Sequence, residues 1–290
     1  MARPVVLSNG SMMVGLNKHG LVHDFYYPYV GLENLTTSRS VHHYIGVWVG
    51  GVFSWVDDGS WNVSVDFETD ALVSTVRFTN DSLQIEMVLR DFVDNEHNAF
   101  LRKIQIINNS NHKREVRLFM HQVFQISQAG RADTALYVPE ENYILDYKGR
   151  CCLVIYGQYA DGRLFDQFSV GNYGIEGKEG TYKDAEDGEL SGCAVEHGGV
   201  DSVLRFSSEI EPGANELIDY WIIAADSQFT AGKIHDKFLD QGLDSRLDKT
   251  RNYWQNWLNI GSDKLNSIEP KYIGLTKKSL MIIKAHCDKR

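Results

Sequence analysis

The stretch LQIEMVLR at residues 83–90 points to the fold class of this chain. Apolar residues stand at every second position, 83, 85, 87 and 89, and Gln84, Glu86 and Arg90 are the polar residues that alternate with them. An alternation of period two is typical of a β-strand that buries one face. Residues 63–67 and 116–120 repeat the pattern, so it is not confined to one segment.

Turn residues separate these runs up to residue 225, for example NDS at 80–82, NNSN at 108–111 and PG at 212–213. Short clusters of Asn, Asp, Ser, Gly and Pro mark chain reversals. A strand begins roughly every ten residues, and no helical segment of about 10–15 residues intervenes as βαβ units would require. We therefore predict a mainly β chain, built as a large antiparallel super-β-sandwich.

After residue 226 the apolar period becomes that of a helix. Ser227 is a candidate N-cap, Gly242 a candidate helix end, and a third helix begins after Pro270. The apolar faces of the three predicted helices contain Ala231, Ile234 and Phe238; Leu243, Leu247, Trp254, Trp257 and Leu258; and Ile273, Leu280, Ile283 and Cys287.

The third predicted helix has an apolar face, but only DKR at residues 288–290 follows it. The helix either packs back on the sandwich or is the first helix of a second domain that would cover it. Because an uncovered apolar face favours association, we predict a homodimer through Ile273, Leu280 and Ile283. Trp254 and Trp257 are further candidates for contacts between domains.

The composition excludes several classes of partner. The 290 residues include 29 Lys and Arg against 39 Asp and Glu, a formal net charge of −10, and 43% are hydrophobic. This hydrophobic fraction suffices for a packed core. An acidic chain lacks the basic face that nucleic acid or an anionic membrane surface requires, and no apolar run reaches the roughly 18 to 20 residues of a membrane helix. We predict neither a nucleic-acid nor a membrane partner.

The cysteines are few and not paired by spacing. Cys151, Cys152, Cys193 and Cys287 form no C-x-x-C motif, and the adjacent pair would face opposite sides of a strand. Few cysteines in a long chain favour free thiols and a cytoplasmic protein.

Motifs for cofactors, metals and nucleophiles do not occur in the sequence. GNYGIEG at 171–177 lacks the spacing and the following helix of a phosphate-binding loop. DAEDGE at 184–189 resembles a calcium loop, but its glycine is fifth and no Glu stands at the twelfth position. No G-x-S-x-G elbow is present, and the neighbouring acids at 57–58 and 140–141 are interpreted as solvated turn residues. We predict no cofactor and no metal site.

The segment HDFYYPY at residues 23–29 is a candidate contact site. Four aromatic residues beside a His and an Asp exceed what a core strand needs. Such side chains suit a domain interface, the ring faces and hydroxyls of a sugar, or simple packing in the core, and these three interpretations remain open. The candidate contact residues are His23, Asp24, Tyr26, Tyr27, Tyr29 and Trp48.

A series of short motifs extends over essentially the whole chain. In order, they are LSNG at 7–10, GLVHDFYYP at 20–28, GLEN at 31–34, GVWV at 46–49, DFV at 91–93, LR at 101–102, NN at 108–109, DAEDGELSG at 184–192 and VDSV at 200–203. Each is weak alone, but in this order they resemble the opening of the prokaryotic glucoamylases and glucodextranases of glycoside hydrolase family 15.

The resemblance implies a super-β-sandwich at residues 1–226, a helical linker at 227–268 and the first helix of an (α/α)₆ catalytic barrel at 269–290. It also implies a parent enzyme that hydrolyses α-glucosidic bonds with inversion and releases glucose from the non-reducing ends of neutral α-glucans. The family's two catalytic glutamates lie later in the barrel and have no counterpart here. The chain is then a scaffold that docks on the catalytic domain of the same protein, holds no catalytic residue and is inactive by itself.

Two alternatives remain open. A stand-alone carbohydrate-binding module would bind maltooligosaccharide or dextran without a catalytic domain. The chain could also precede the barrel of a maltose phosphorylase-like or trehalase-like enzyme. A phosphate site in that barrel would indicate phosphorolysis, whereas a second catalytic carboxylate would indicate hydrolysis.

Overall fold

A computed structural model describes residues 4–36, 43–128, 132–265 and 267–289 of the chain. Residues 1–3, at the start of the predicted segment 1–226, lie outside the described residues. So does Arg290, at the end of the predicted segment 269–290. The strands are β1 (Val5–Ser8), β2 (Met13–Leu16), β3 (Val22–Tyr26), β4 (Ile45–Val49), β5 (Val52–Trp55), β6 (Asn62–Phe67), β7 (Ser74–Asn80), β8 (Ile85–Val93), β9 (Ala99–Asn108), β10 (Arg114–Val123), β11 (Asp133–Val138), β12 (Tyr143–Lys148), β13 (Cys151–Tyr159), β14 (Gln167–Asn172), β15 (Val195–Gly198), β16 (Val200–Ile210) and β17 (Asn215–Ala225). The helices are α1 (Thr181–Asp184), α2 (Gln228–Asn259), α3 (Ser262–Leu265) and α4 (Pro270–Ala285), and 3₁₀ turns occupy Ile126–Gln128 and Ala185–Asp187.

The strands form three antiparallel sheets. One has the order β1-β2-β3, the second β14-β16-β10-β4-β5, and the third, of nine strands, β15-β11-β12-β13-β17-β9-β8-β7-β6. The mainly β, antiparallel fold predicted from the sequence is confirmed. Short turns reverse the chain between consecutive strands such as β6 to β9 and β11 to β13, so these strands pair with reversed neighbours.

Both faces of the five-stranded sheet are buried. Leu118 and Met120 on β10 face the main core, whereas Phe119 between them packs in a second cluster with Val203 and Leu190. Alternation along a strand sends neighbouring side chains to opposite faces, so this strand contributes to two separate apolar clusters.

Helix α2 packs against β13 and β17 of the nine-stranded sheet. The predicted N-cap is confirmed, since the Ser227 hydroxyl accepts a hydrogen bond from the backbone N–H of Thr230. The predicted break is confirmed too: Gly242 has a φ of 71° and interrupts the helical conformation. Phe238 before the break and Trp254 after it are both buried in the main core.

The strand predicted from residue 83 begins two residues later. Leu83 lies in a turn, where its N–H donates to Asn80 Oδ1, and Gln84 has a φ of 50°. A left-handed residue cannot continue a β-strand, so β8 starts at Ile85 despite the alternation of the sequence.

Helix α4 lies against β1. Its buried residues are Met281 and Ala285, which join the main core. Two lysines of the same helix reach acidic residues of the sandwich: Lys277 lies 2.8 Å from Asp70, and Lys278 lies 2.8 Å from Asp66. One side of the helix is thereby fixed to the sandwich.

Candidate functional site

The aromatic segment 23–29 begins on β3 and continues into the following loop. His23 is half-buried, whereas the carboxylate of Asp24 is buried and accepts a hydrogen bond from Asn34 Nδ2 at 3.0 Å. Asn34 Oδ1 accepts from the backbone N–H of Phe25 at 3.0 Å. Asp24 and Asn34 thus hold the loop against the strand that precedes it.

The tyrosines of this segment lie at different depths. Tyr27 packs in the main core, and its peptide bond to Pro28 is cis. Burial, with a smaller contribution from the nearby Cys151, raises the pKa of the Tyr27 phenol to about 12. Tyr26 is half-buried, and the 37% exposure of Tyr29 is the largest among the four aromatic residues. Tyr29 is therefore the aromatic side chain of the segment best placed to contact another molecule.

Trp48 lies on β4, in the five-stranded sheet, and not on the sheet that contains β3. It packs against the second cluster, and the Arg117 guanidinium lies 4.1 Å above its ring. None of the described residues of segment 23–29 belongs to this cluster. The candidate contact residues are thus split between two places in the fold.

The candidate helix residues Trp257 and Leu280 are brought together. They line an apolar groove of about 390 Å³ between the end of α2 and the outward side of α4. Ile260, which is 86% exposed, lines the same groove. Trp254, by contrast, is buried in the main core and has no part in the groove.

The side of α4 that faces away from Met281 and Ala285 is rich in exposed apolar residues. Leu275 is 66% exposed and Ile283 is 64% exposed, while Ile273 is half-buried. Tyr272, Leu280 and Ile282 are exposed as well. The helix thus has two apolar sides, of which the sandwich covers the one that carries Met281 and Ala285. The sequence pattern could not show which side that would be.

A pair of buried carboxyl groups escaped the sequence analysis. Asp133 Oδ1 lies 3.1 Å from Lys148 Nζ, and Asp133 Oδ2 accepts the backbone N–H of Ile126 at 3.0 Å. Burial, and then the neighbouring Asp133, hold the pKa of Asp146 well above its usual range. The sequence of β12 did contain a signal for this buried pair, because Asp146 and Lys148 lie on the same side of the strand as the apolar Ile144. The arrangement ties the 3₁₀ turn Ile126–Gln128 to the nine-stranded sheet.

Metal-binding groups and membrane-spanning helices are both absent from the described part of the chain. It contains no group of three or more His, Cys, Asp or Glu side chains placed to hold a metal ion. Among the helices described, none is both long and apolar enough to cross a membrane.

Comparison with known proteins finds a distant relative in sequence and solved structures of similar fold. No protein-family model matches the chain. It is 22% identical over 293 residues to an uncharacterized glycosyl hydrolase of Methanocaldococcus jannaschii, covering 98% of this chain and 45% of that protein. This chain thus spans less than half of that relative.

Two solved structures share the fold. A bacterial glucoamylase complexed with acarbose superposes with a TM-score of 0.78 at 13% identity, over 98% of this chain and 40% of that one. A putative kojibiose phosphorylase from the human microbiome gives a TM-score of 0.58 at 8% identity, over 88% and 36% of the two chains. The chain therefore has the β-sandwich fold found within longer glycoside-processing enzymes.

Proposed function

We propose that this chain is the N-terminal β-sandwich domain of a glycoside hydrolase of the glucoamylase type, family 15, and that it acts as a scaffold for a helical catalytic domain. The parent reaction is the inverting hydrolysis of α-glucosidic bonds, in which an acid protonates the leaving oxygen and a base activates water on the opposite face of the sugar. Those two carboxyl groups belong to the catalytic domain in this proposal, so the chain alone is inactive.

The observation that carries the scaffold role is the asymmetry of α4. Its Met281 side is bound to the sandwich, and its Leu275 and Ile283 side is exposed beside an apolar groove. A contiguous apolar surface of this kind marks a contact site. Because this chain spans 45% of its hydrolase relative and 40% of the glucoamylase, the occupant we propose is the helical remainder of the same protein.

The loop after β3, residues 27–34 and here called the aromatic loop, has a smaller role in this proposal. Tyr29 and Leu32 are exposed at the surface of the loop, while Tyr27 and the Asp24–Asn34 hydrogen bond hold its base. We expect the loop to contact the catalytic domain. The alternative, which an experiment must distinguish, is a direct contact between the loop and the glucan.

The phosphorylase-like structure favours a second candidate, the N-terminal domain of an enzyme that cleaves glycosidic bonds with phosphate. The two candidates share the scaffold role and differ in the molecule that attacks the sugar. We put hydrolysis first, and the greater TM-score of the glucoamylase, 0.78 against 0.58, supports that order.

The test is an assay of the whole gene product with maltotriose, with and without inorganic phosphate. The proposal expects glucose release without phosphate and β-glucose as the first anomer, measured by NMR. Glucose 1-phosphate formed only with phosphate would establish the second candidate. Full hydrolytic activity of residues 1–290 alone would contradict the scaffold role.

A further inference from the structure

The turn between β1 and β2, residues 9–12, is held in place by one side chain. Asn9 Oδ1 accepts the backbone N–H groups of Ser11 and Met12, each at 2.9 Å. Asn9 Nδ2 donates to the backbone carbonyl of Asp94, in the turn between β8 and β9, at 2.9 Å. The buried Asn9 side chain thus fixes the β1–β2 turn internally and ties it to a second turn.

That second turn is in turn fixed to helix α2. The carboxylate of Asp94 accepts two hydrogen bonds from Arg246 of α2, each at 2.7 Å, and both side chains are fully buried. Thr250 of α2 donates to Asn95 Oδ1 at 3.4 Å. The position of the β1–β2 turn is therefore set by buried contacts that do not involve the residues after α4.

Residues 286–289 follow α4 and are here called the tail. The backbone N–H of Lys289 donates to the carbonyl of Gly10 at 2.9 Å, and Lys289 Nζ donates to the carbonyl of Asn95 at 3.4 Å. Gly10 is buried and has a φ of 88°. A Cβ atom at Gly10 would lie 2.7 Å from Lys289 Cγ and 3.2 Å from the carbonyl oxygen of Cys287. The absence of a side chain at Gly10 therefore makes the room in which the tail lies.

The tail extends the attachment of α4 beyond the end of the helix. Met281 and Ala285 of α4 join the main core, and the tail then lies on the β1–β2 turn. The chain is thus held against the sandwich from Met281 to Lys289. In the proposed function a catalytic domain follows, so the tail is the passage between the two domains.

We propose that the β1–β2 turn is a seat for the junction between the sandwich and the catalytic domain, and that it fixes the direction in which the chain leaves the sandwich. The inference rests on the proposed function, because it takes the tail as the passage to a catalytic domain. Gly10 is then a positioning residue. The groove at α4 receives the surface of the catalytic domain, whereas the seat holds the chain that leads into it.

The test is hydrogen exchange, measured by mass spectrometry, in the peptide that covers residues 282–289 of the whole gene product. Gly10→Ala places a methyl group against Lys289 and Cys287, so the tail should leave the seat. Loss of the hydrogen bond to Gly10 should make the tail exchange about tenfold faster. Trypsin should then cleave after Lys289 faster than in the wild type, since proteolysis requires a locally free chain.

The matched control is Gly162→Ala, in the turn after β13. Gly162 has a φ of 90°, so alanine at either glycine meets the same backbone strain. Apart from its chain neighbours, no heavy atom of the described residues lies within 4 Å of a Cβ atom at Gly162. This variant should leave exchange and cleavage at the tail unchanged. In the double variant Gly10→Ala/Lys289→Ala the clashing Cγ atom is absent, so exchange should return to the wild-type rate.

The exchange and cleavage rates are read without a substrate, which separates this test from that of the proposed function. A wild-type gene product that does not cleave maltotriose would contradict the proposed function. Equal rates in the wild type and Gly10→Ala, or an equal effect of Gly162→Ala, would overturn the seat. Faster exchange in Gly10→Ala that Lys289→Ala does not reverse would overturn the role given to Gly10.

Discussion

Helices α2 and α4 both lie on the β-sandwich, but they are attached in different ways. Helix α2 inserts Phe238 and Trp254 into the main core, and its Arg246 makes a paired contact with Asp94 in which both side chains are fully buried. Helix α4 inserts only the smaller Met281 and Ala285 and exposes its other apolar side.

The difference indicates that α2 is part of the folded sandwich and that α4 carries the surface which we propose as a contact site. A buried ion pair with two hydrogen bonds holds α2 in one orientation. The lysines of α4 form partly exposed pairs, which contribute little stability each. Helix α2 thus belongs to the folded sandwich. Helix α4 is attached to the sandwich on one side and exposes an apolar surface on the other.

The largest effect is expected at the buried ion pair. Arg246→Ala leaves the Asp94 carboxylate buried without its partner and should lower the free energy of unfolding by about 3–5 kcal/mol, measured in urea. Arg251 lies on the same helix as Arg246 and forms a partly exposed ion pair with Glu68, which follows β6. Arg251→Ala should therefore cost no more than about 1 kcal/mol. Equal losses in the two variants would show that α2 is not held by its buried contact.

The aromatic loop allows a similar comparison between its base and its tip. Tyr27→Ala removes a buried ring and should cost about 3 kcal/mol. Tyr29→Ala removes a ring of a residue that is 37% exposed and should cost less, no more than about 1 kcal/mol. If Tyr29 contacts the catalytic domain or the glucan, its variant should lower the activity of the whole gene product by more than this loss of stability explains. Unchanged activity would remove the loop from the proposed interface.

A smaller effect should follow from pH, through His235 on α2. Its ring is buried, its Nδ1 accepts a hydrogen bond from Trp221 Nε1 at 3.2 Å, and burial lowers its pKa from 6.5 to about 4. The unfolded chain therefore takes up this proton more readily than the folded protein. The resulting stability is present above pH 6.5 and is lost as the pH falls toward 4, by at most about 3 kcal/mol.

His235→Gln removes the titrating ring and retains an acceptor for Trp221. The difference in unfolding free energy between wild type and variant should therefore change between pH 7 and pH 4. A constant difference would show that His235 does not resist protonation in the folded state.

Much of the fold could be predicted from the sequence, because strand alternation, turn residues, the Ser227 cap and the Gly242 break are local signals. The start of β8 could not, because the left-handed conformation of Gln84 depends on the turn around it. The packed side of α4 could not either, since the sequence contains two apolar sides, and only the fold shows that Met281 and Ala285 reach the main core. The domain limits and the contact roles of the candidate residues stay predictions.

The central claim is that the outward side of α4 is an interface, and light scattering over a range of protein concentrations tests it most directly. The 290-residue chain should self-associate through this surface. The double variant Leu275→Ser/Ile283→Ser should be monomeric and as stable as the wild type, since both side chains are exposed. Phe229→Ser, which alters a 71% exposed residue at the start of α2, should still associate. A wild-type chain that remains monomeric at every concentration, or a double variant that associates as strongly as the wild type, would contradict the claim.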